Sequence, residues 1–469
     1  MPILFLLLPV ICIFILNLPR RSVAAKLAPW VVGIVSFLQM VFAATSQMDC
    51  WQPFSDLLTL PLPVGLTVDV ISAVALFTIA LVVATANAVG IRGDARAKVI
   101  TSSLMLMCMT GMNGVVMVRD LFSLYIFLEI TALSAFVLIA SEKKLTALVA
   151  SFKYFILSGL ASLSLILANA LVFMEIGGLS FAEVLAALDA HNVVVQVALV
   201  LYVVAFCIKS GTAPFHGWLP EAYSQAPHAI SVLLAGTTTK VAGVYVIIRL
   251  MSDVFVGFTA PSMAFMILGS FSIIIGAFGA IAQTDMKRML AFSSISQLGY
   301  IVLAAGLATP LALIGALVHF VNHALFKSLL FVNAAAVEEQ TGTTNMGELG
   351  GLTERLKVTG WTSVIGFLST VGIPPFSGFW SKLLIVIALG VAGQWFFVAL
   401  AILMSLVSLS YFLIMQRKVF FGKLREGFEE LREARGTLVG TSLVLAGLTT
   451  CLGLLFPVVL VIFSNFGLV

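Results

Sequence analysis

The stretch KSGTAPFHGWLPEAYSQAPHAISVLLAGTTTKVAGVYVIIR, residues 209–249, decides the fold. Apolar runs lie before and after it, and Lys209 and Lys240 sit inside them. A charged side chain near a bilayer centre costs a few kcal/mol or more, so such lysines face a bundle interior or a wet cavity and serve transport. Between the lysines, Pro214 removes a backbone donor and Gly217 loosens the chain, so the helix is expected to break. At membrane depth, broken backbone is tolerated only where it is buried or lines a cavity.

The same device recurs downstream. Pro374-Pro375-Phe376-Ser377-Gly378-Phe379-Trp380 repeats the P-F-x-G-aromatic pattern, and Lys382 follows it. Lys153, Lys327 and Glu129 also lie inside spanning runs. Over the whole chain of 469 residues, 61% are hydrophobic and 10% charged, with mean hydropathy +1.14. A soluble domain carries about 25% charged residues, so the chain reads as an all-α polytopic membrane protein. Runs of about 20 apolar residues suffice to span. Fourteen are expected, at 2–18, 28–47, 65–90, 98–118, 120–140, 147–175, 193–213, 227–251, 261–283, 288–308, 310–337, 359–386, 391–416 and 437–464. No basic segment precedes the first run, which is therefore expected as a retained helix. With no linker composition, one membrane domain is expected over 1–469.

The five cysteines, Cys12, Cys50, Cys108, Cys207 and Cys451, are scattered singly, without a CxxC pair. No metal, iron–sulfur cluster or disulfide framework is expected. The net charge of +4 is spread by topology and implies no nucleic-acid partner.

Eighteen of the 25 Lys and Arg fall in alternate loops, at 20–26, 92–98, 143–144, 287–288, 355–357 and 417–435. Only Arg119 and Arg249 fall near the opposite side. The positive-inside rule then puts both termini outside the cytoplasm. Segment 417–436 reads either as a short amphipathic helix on the cytoplasmic face or as a solvated connector. Residues 338–357 are polar and Gly-rich, hence a surface loop. The two breaks stand five spans apart. Spans 4–8 and 9–13 therefore form two five-helix repeats of inverted orientation, each with a broken helix, as in transporters whose discontinuous helices supply midplane sites.

The stretch at 209–249, together with DLFSLYIFLEI around Glu129, FKYFILSG around Lys153, HFVNHALFKSLLFV around Lys327 and GIPPFSGFWSK ending at Lys382, resembles the antiporter-like subunits of respiratory complex I, energy-converting membrane hydrogenases and Mrp-type cation/proton antiporters. The resemblance covers residues 65–415 and is nearest to the Mrp D-type and hydrogenase-associated members. No long lateral helix, such as the largest complex I member carries, is expected after span fourteen. The resemblance implies proton translocation by Glu129, Lys209, Lys240, His319, His323, Lys327 and Lys382. Burial disfavours charge on lysine and glutamate alike while proximity favours it, so a Glu129–Lys209 pair can be tipped by moving one partner. His319, His323 and Lys327 recur at i, i+4 and i+8 and share one helix face; a structural histidine pair would look the same. Lys153, which could snorkel to an interface, and His216 and His228, which flank the first break, are auxiliary candidates.

The expected function is a proton-translocating subunit of a hetero-oligomeric complex, complex I-like or hydrogenase-like. It would hold no cofactor of its own, with other membrane subunits and a redox module as partners. The alternatives are an Mrp-type sodium/proton antiporter subunit without redox coupling and a structural anchor for a soluble enzyme. The expected location is the inner or plasma membrane of a prokaryote. Whether the complex is an oxidoreductase of the NADH:quinone or hydrogenase type stays open at this point.

Overall fold

The computed structural model describes residues 2–18, 20–46, 65–189, 191–458 and 460. Cys50 and the end of the run expected at 437–464 lie outside them. In chain order the helices are α1 (Leu4–Asn17), α2 (Arg21–Thr45), α3 (Val70–Val89), α4 (Ala95–Met117), α5 (Leu121–Ile139) and α6 (Leu145–Ile176). The short α7 (Phe181–Ala187) precedes α8 (Val193–Ser210) and α9 (Leu219–Gln225). After α10 (His228–Asp253) come α11 (Thr259–Ile281), α12 (Met286–Leu307), α13 (Pro310–Thr341), α14 (Lys357–Val371), α15 (Ser377–Val391), α16 (Trp395–Val419) and α17 (Gly436–Leu454).

Among the described residues, twelve helices are long and apolar enough to cross a membrane, and two apolar helices, Leu4–Asn17 and Ser377–Val391, are shorter. The protein is an all-α, multi-pass membrane protein. Large apolar side chains such as Trp30, Phe37, Leu163, Phe173 and Leu413 point outward, as a lipid solvent permits.

Helix starts are set by aspartates. Asp69, Asp94, Asp120 and Asp285 each accept a hydrogen bond from the backbone N–H three residues on, at 2.6–2.8 Å. Each thereby satisfies one of the four N–H groups a helix start leaves unpaired.

Although the composition offers no linker, contacts divide the chain into two compact units. One is Met1–Ser210 with Thr237–Pro261, the other Gly211–Gly236 with Ser262–Val469. In the first, α4 packs on α5, α6 on α8 and α2 on α3; in the second, α13 packs on α12, α14, α15 and α17.

Both expected breaks occur. Helix α8 ends at Ser210, and a 3-10 turn, Phe215–Trp218, leads into α9; α14 ends at Val371 before α15 begins at Ser377. The residues that turn the chain are Gly211 (φ 68°) and Gly372 (φ 91°), in the left-handed region that glycine enters without steric cost. Pro214 and Pro375 each follow a cis peptide bond, the latter from Pro374. Gly217 lies inside the 3-10 turn with open space beside it. Gly378 opens α15 where a Cβ would collide with the Ser369 carbonyl, so its role is close approach.

Segment 417–436 is the connector and not the amphipathic helix. Helix α16 stops at Val419, and Gly422 and Gly427 take φ of 94° and 90°. Its charges serve docking: Arg425 donates to Gly347 O at 2.6 Å, and Glu433 accepts from Val358 N at 2.8 Å and Thr359 Oγ1 at 2.7 Å. Glu433 thus caps the start of α14, where the helix dipole favours an anion.

Candidate functional site

In the first unit, α5 carries Glu129, α6 carries Ser158 and Ser162 one turn apart, and α8 carries Lys209 in its last turn. Lys209 Nζ donates to Glu129 Oε1 at 3.0 Å, Ser158 Oγ at 3.0 Å and Ser162 Oγ at 3.1 Å. An ammonium has three protons, and here each has an acceptor. Ser162 also meets Glu129 Oε1 through a short hydrogen bond. The lysine side chain is 2% exposed and the glutamate 28%, so any approach to the pair comes through Glu129. Lys209 stands in the last turn of its helix, where the macrodipole favours a cation.

Lys240 is fully buried and opens a π-helical stretch, Lys240–Tyr245, a distortion found often at functional sites. At Gly243 a Cβ would collide with the backbone of Ser210. Glycine there lets the turn bearing Lys240 lie directly against the helix end bearing Lys209.

The first unit also holds a cluster that the motifs do not announce. Arg249 grips Asp69 with two hydrogen bonds, 2.8 and 2.7 Å, and reaches Asp253 at 3.2 Å. Arg119 adds 3.1 Å to Asp69. Burial alone would raise the Asp69 carboxyl, but the hydrogen bonds and charge of Arg249, with Arg119, hold it well below the usual carboxylate range. The sequence cue was the pair of arginines that broke the loop pattern.

In the second unit, α13 presents His319, His323 and Lys327, all fully buried. Lys327 Nζ donates to Leu290 O at 3.1 Å and Ser293 Oγ at 2.8 Å. His319 Nδ1 lies 2.8 Å from Ser381 Oγ, beside Lys382 in sequence. Lys382 Nζ donates to Val371 O at 3.0 Å and Ser405 Oγ at 3.3 Å, and lies 4.8 Å from the Tyr300 ring centre. Val371 closes α14, so the broken helix offers the lysine a carbonyl that has no partner within its helix and the negative end of a dipole.

Of the auxiliary candidates, Lys153 lies on an exposed face of α6. His216 is half-buried with its ring 6.2 Å from Phe292. His228 Nδ1 lies 3.5 Å from Glu338, which is ion-paired to Lys287. Sequence reasoning missed the hydroxyls, Ser158, Ser162, Ser293, Tyr300, Ser405 and Tyr411. Their only signal was serine at helical spacing beside charged spans. No group of three or more His, Cys, Asp or Glu able to hold a metal occurs among the described residues.

Residues 118–408 match the family described as NADH:quinone oxidoreductase/Mrp antiporter, TM. The chain is 36% identical over 315 residues to the N subunit of NADH-quinone oxidoreductase from Desulforudis audaxviator, covering 66% of this chain and 62% of that protein. To the D subunit of the Na(+)/H(+) antiporter from Alkalihalophilus pseudofirmus it is 32% identical over 350 residues, covering 74% and 70%. A chain of the Mrp complex from Dietzia sp. superposes with TM-score 0.87 at 25% identity, covering 98% of this chain and 95% of that one.

Proposed function

We propose that this chain, which belongs to the NADH:quinone oxidoreductase/Mrp antiporter family of transmembrane subunits, moves protons as one subunit of a larger membrane complex. The Lys209 ammonium matched by Glu129, Ser158 and Ser162 carries the reading. The pair is complete enough to hold a proton and open enough, through Glu129, to be tipped. Lys240 continues the first unit's site, and His319, His323, Lys327 and Lys382 make up that of the second.

The chain is read with fourteen spans, α4 to α10 and α11 to α16 forming the two inverted repeats. Both termini lie outside the cytoplasm of a prokaryotic inner or plasma membrane. The partners are other membrane subunits, with a quinone-reductase or hydrogenase module supplying the driving reaction. A second reading, a sodium/proton antiporter component without redox coupling, draws support from the likeness to the Alkalihalophilus antiporter protein.

Gentle purification followed by mass spectrometry separates the two readings. A co-purifying redox module supports the first, and small membrane subunits alone support the second. In sealed vesicles containing the complex, Lys209→Ala is expected to abolish proton movement while assembly persists; normal pumping would overturn the proposal. Cysteines placed in loops 91–97 and 423–435 should be labelled from the cytoplasmic side and one in 254–258 from the other. Labelling of all three from one face removes the inverted repeat.

A further inference from the structure

We infer that protons pass between Lys327 and Lys382 along a line of hydroxyls and water on α12 and α16, with Gln297 as the residue that positions the water. The inference rests on the proton-translocating reading and concerns the second unit alone.

Leu290, Ser293, Gln297 and Tyr300 recur at i, i+3, i+7 and i+10 and share one face of α12. At one end of this face, Leu290 O and Ser293 Oγ receive the Lys327 ammonium, and Tyr411 of α16 donates to the same Ser293 Oγ at 2.9 Å. At the other end, Tyr300 OH donates to Ala401 O at 2.7 Å and lies 3.0 Å from Ser405 Oγ of α16, the hydroxyl that Lys382 reaches at 3.3 Å. Each lysine therefore ends in a tyrosine–serine pair made by the same two helices.

Between these ends stands Gln297, fully buried. Its amide interacts with the Tyr411 hydroxyl, but that contact is not a well-aligned hydrogen bond, and neither Nε2 nor Oε1 has another protein partner. A buried amide left unpaired costs on the order of 1–3 kcal/mol or more. Native interiors meet such a demand with water holding two to four polar partners. Ser293 and Tyr300 are separated by about 10 Å along the axis at 1.5 Å per residue, with Gln297 between them. Each half of that gap fits one water bonded at about 2.8 Å on either side. His319 Nε2 is a second buried atom without a protein partner, and its ring lies 6.1 Å from that of Tyr300, which adds a polar wall at the Lys382 end. An amide both donates and accepts but holds no mobile proton, so Gln297 orients water while the hydroxyls and lysines carry the proton. The histidine row on α13 offers a rival line, in which the rings of His319 and His323 stand 6.2 Å apart.

The test uses the whole complex in sealed vesicles. Gln297→Leu keeps the volume and removes both polar atoms; with the complex assembled, proton flux is expected to fall roughly tenfold or more, the kinetic equivalent of losing about one hydrogen bond. Gln297→Glu, which still binds water, is expected to restore most of it, a rescue that a purely packing role would not give. Tyr411→Phe removes one hydroxyl only and serves if the leucine variant does not assemble; it too should lower flux. Normal flux in Gln297→Leu, or in Tyr411→Phe where that variant is the one assembled, overturns the inference when Lys382→Met is blocked in parallel. If Lys382→Met also transports normally, the translocation reading itself has failed.

Discussion

Lys209 and Lys382 stand beside the two helix breaks, and their charges are answered by different means. Lys209 has a carboxylate and two hydroxyls. Lys382 has a helix-terminal carbonyl, one hydroxyl and an aromatic face, with no carboxylate in ion-pair range among the described residues. The first site is a pair, so its state depends on two groups and changes when either moves. The second is a lone cation held by dipoles, whose state depends on the geometry of the broken helix. A buried pair loses more when one member is removed than it contributes as a pair, because the survivor is left uncompensated. A cation held by neutral dipoles has no such survivor.

The largest effect tests whether the lone cation is mobile. Lys382→Met should lower proton flux in vesicles by roughly a hundredfold or more, about 2.7 kcal/mol of barrier. Lys382→Arg should not restore it, since guanidinium keeps its proton. Wild-type flux in the arginine variant would make Lys382 a fixed charge, with Lys327 and the two histidines the next residues to test.

A smaller effect sharpens the contrast in compensation. Glu129→Gln leaves the Lys209 ammonium without its anion and should destabilise the protein by roughly 2–3 kcal/mol, below the usual 3–5 for a buried pair because Glu129 is partly open. Ser405→Ala, beside Lys382, removes one neutral acceptor and should cost about 1 kcal/mol. Thermal unfolding of both variants in detergent checks this; equal losses would mean that dipoles compensate a lysine as well as a carboxylate does.

The smallest effect lies at the edge of the first unit. Asp69 is held below the ordinary carboxylate range by Arg249 and Arg119. Because its folded pKa lies under its unfolded one, its stabilisation is complete above about pH 4 and is lost as pH falls through the folded value. Asp69→Asn should therefore lower stability by about 1 kcal/mol or less, given the partial exposure of the carboxylate. The gap to wild type should be flat between about pH 5 and 9 and shrink in acid. A gap that widens on acidification would refute the assignment.

Most of the architecture was legible in the chain. Apolar runs announce helices, because lipid forces each backbone group to find its partner within its own segment. Lys209 and Lys240 betrayed a polar interior by their depth alone. Segment 417–436 is not decided by sequence, since its apolar and charged pattern suits a helix; the connector appears only once Glu433 finds the start of α14 and Arg425 the Gly347 carbonyl. The repeated motif singles out Gly217 and Gly378 as the breaking glycines, whereas positive φ falls on Gly211 and Gly372.

The sequence by itself determined that the chain is helical, spans a membrane, breaks twice and carries charges where lipid would forbid them. These follow from local chemistry, the cost of unpaired backbone and of buried charge, which acts on each segment alone. Only tertiary structure decided which oxygen meets each lysine. Serine and tyrosine are unremarkable in an apolar helix, and the pairings of Ser158 and Ser162 with Lys209, Ser293 with Lys327 and Ser405 with Lys382 join residues 23 to 51 positions apart. Such partners are set by how helices pack, and no periodicity within one helix encodes that.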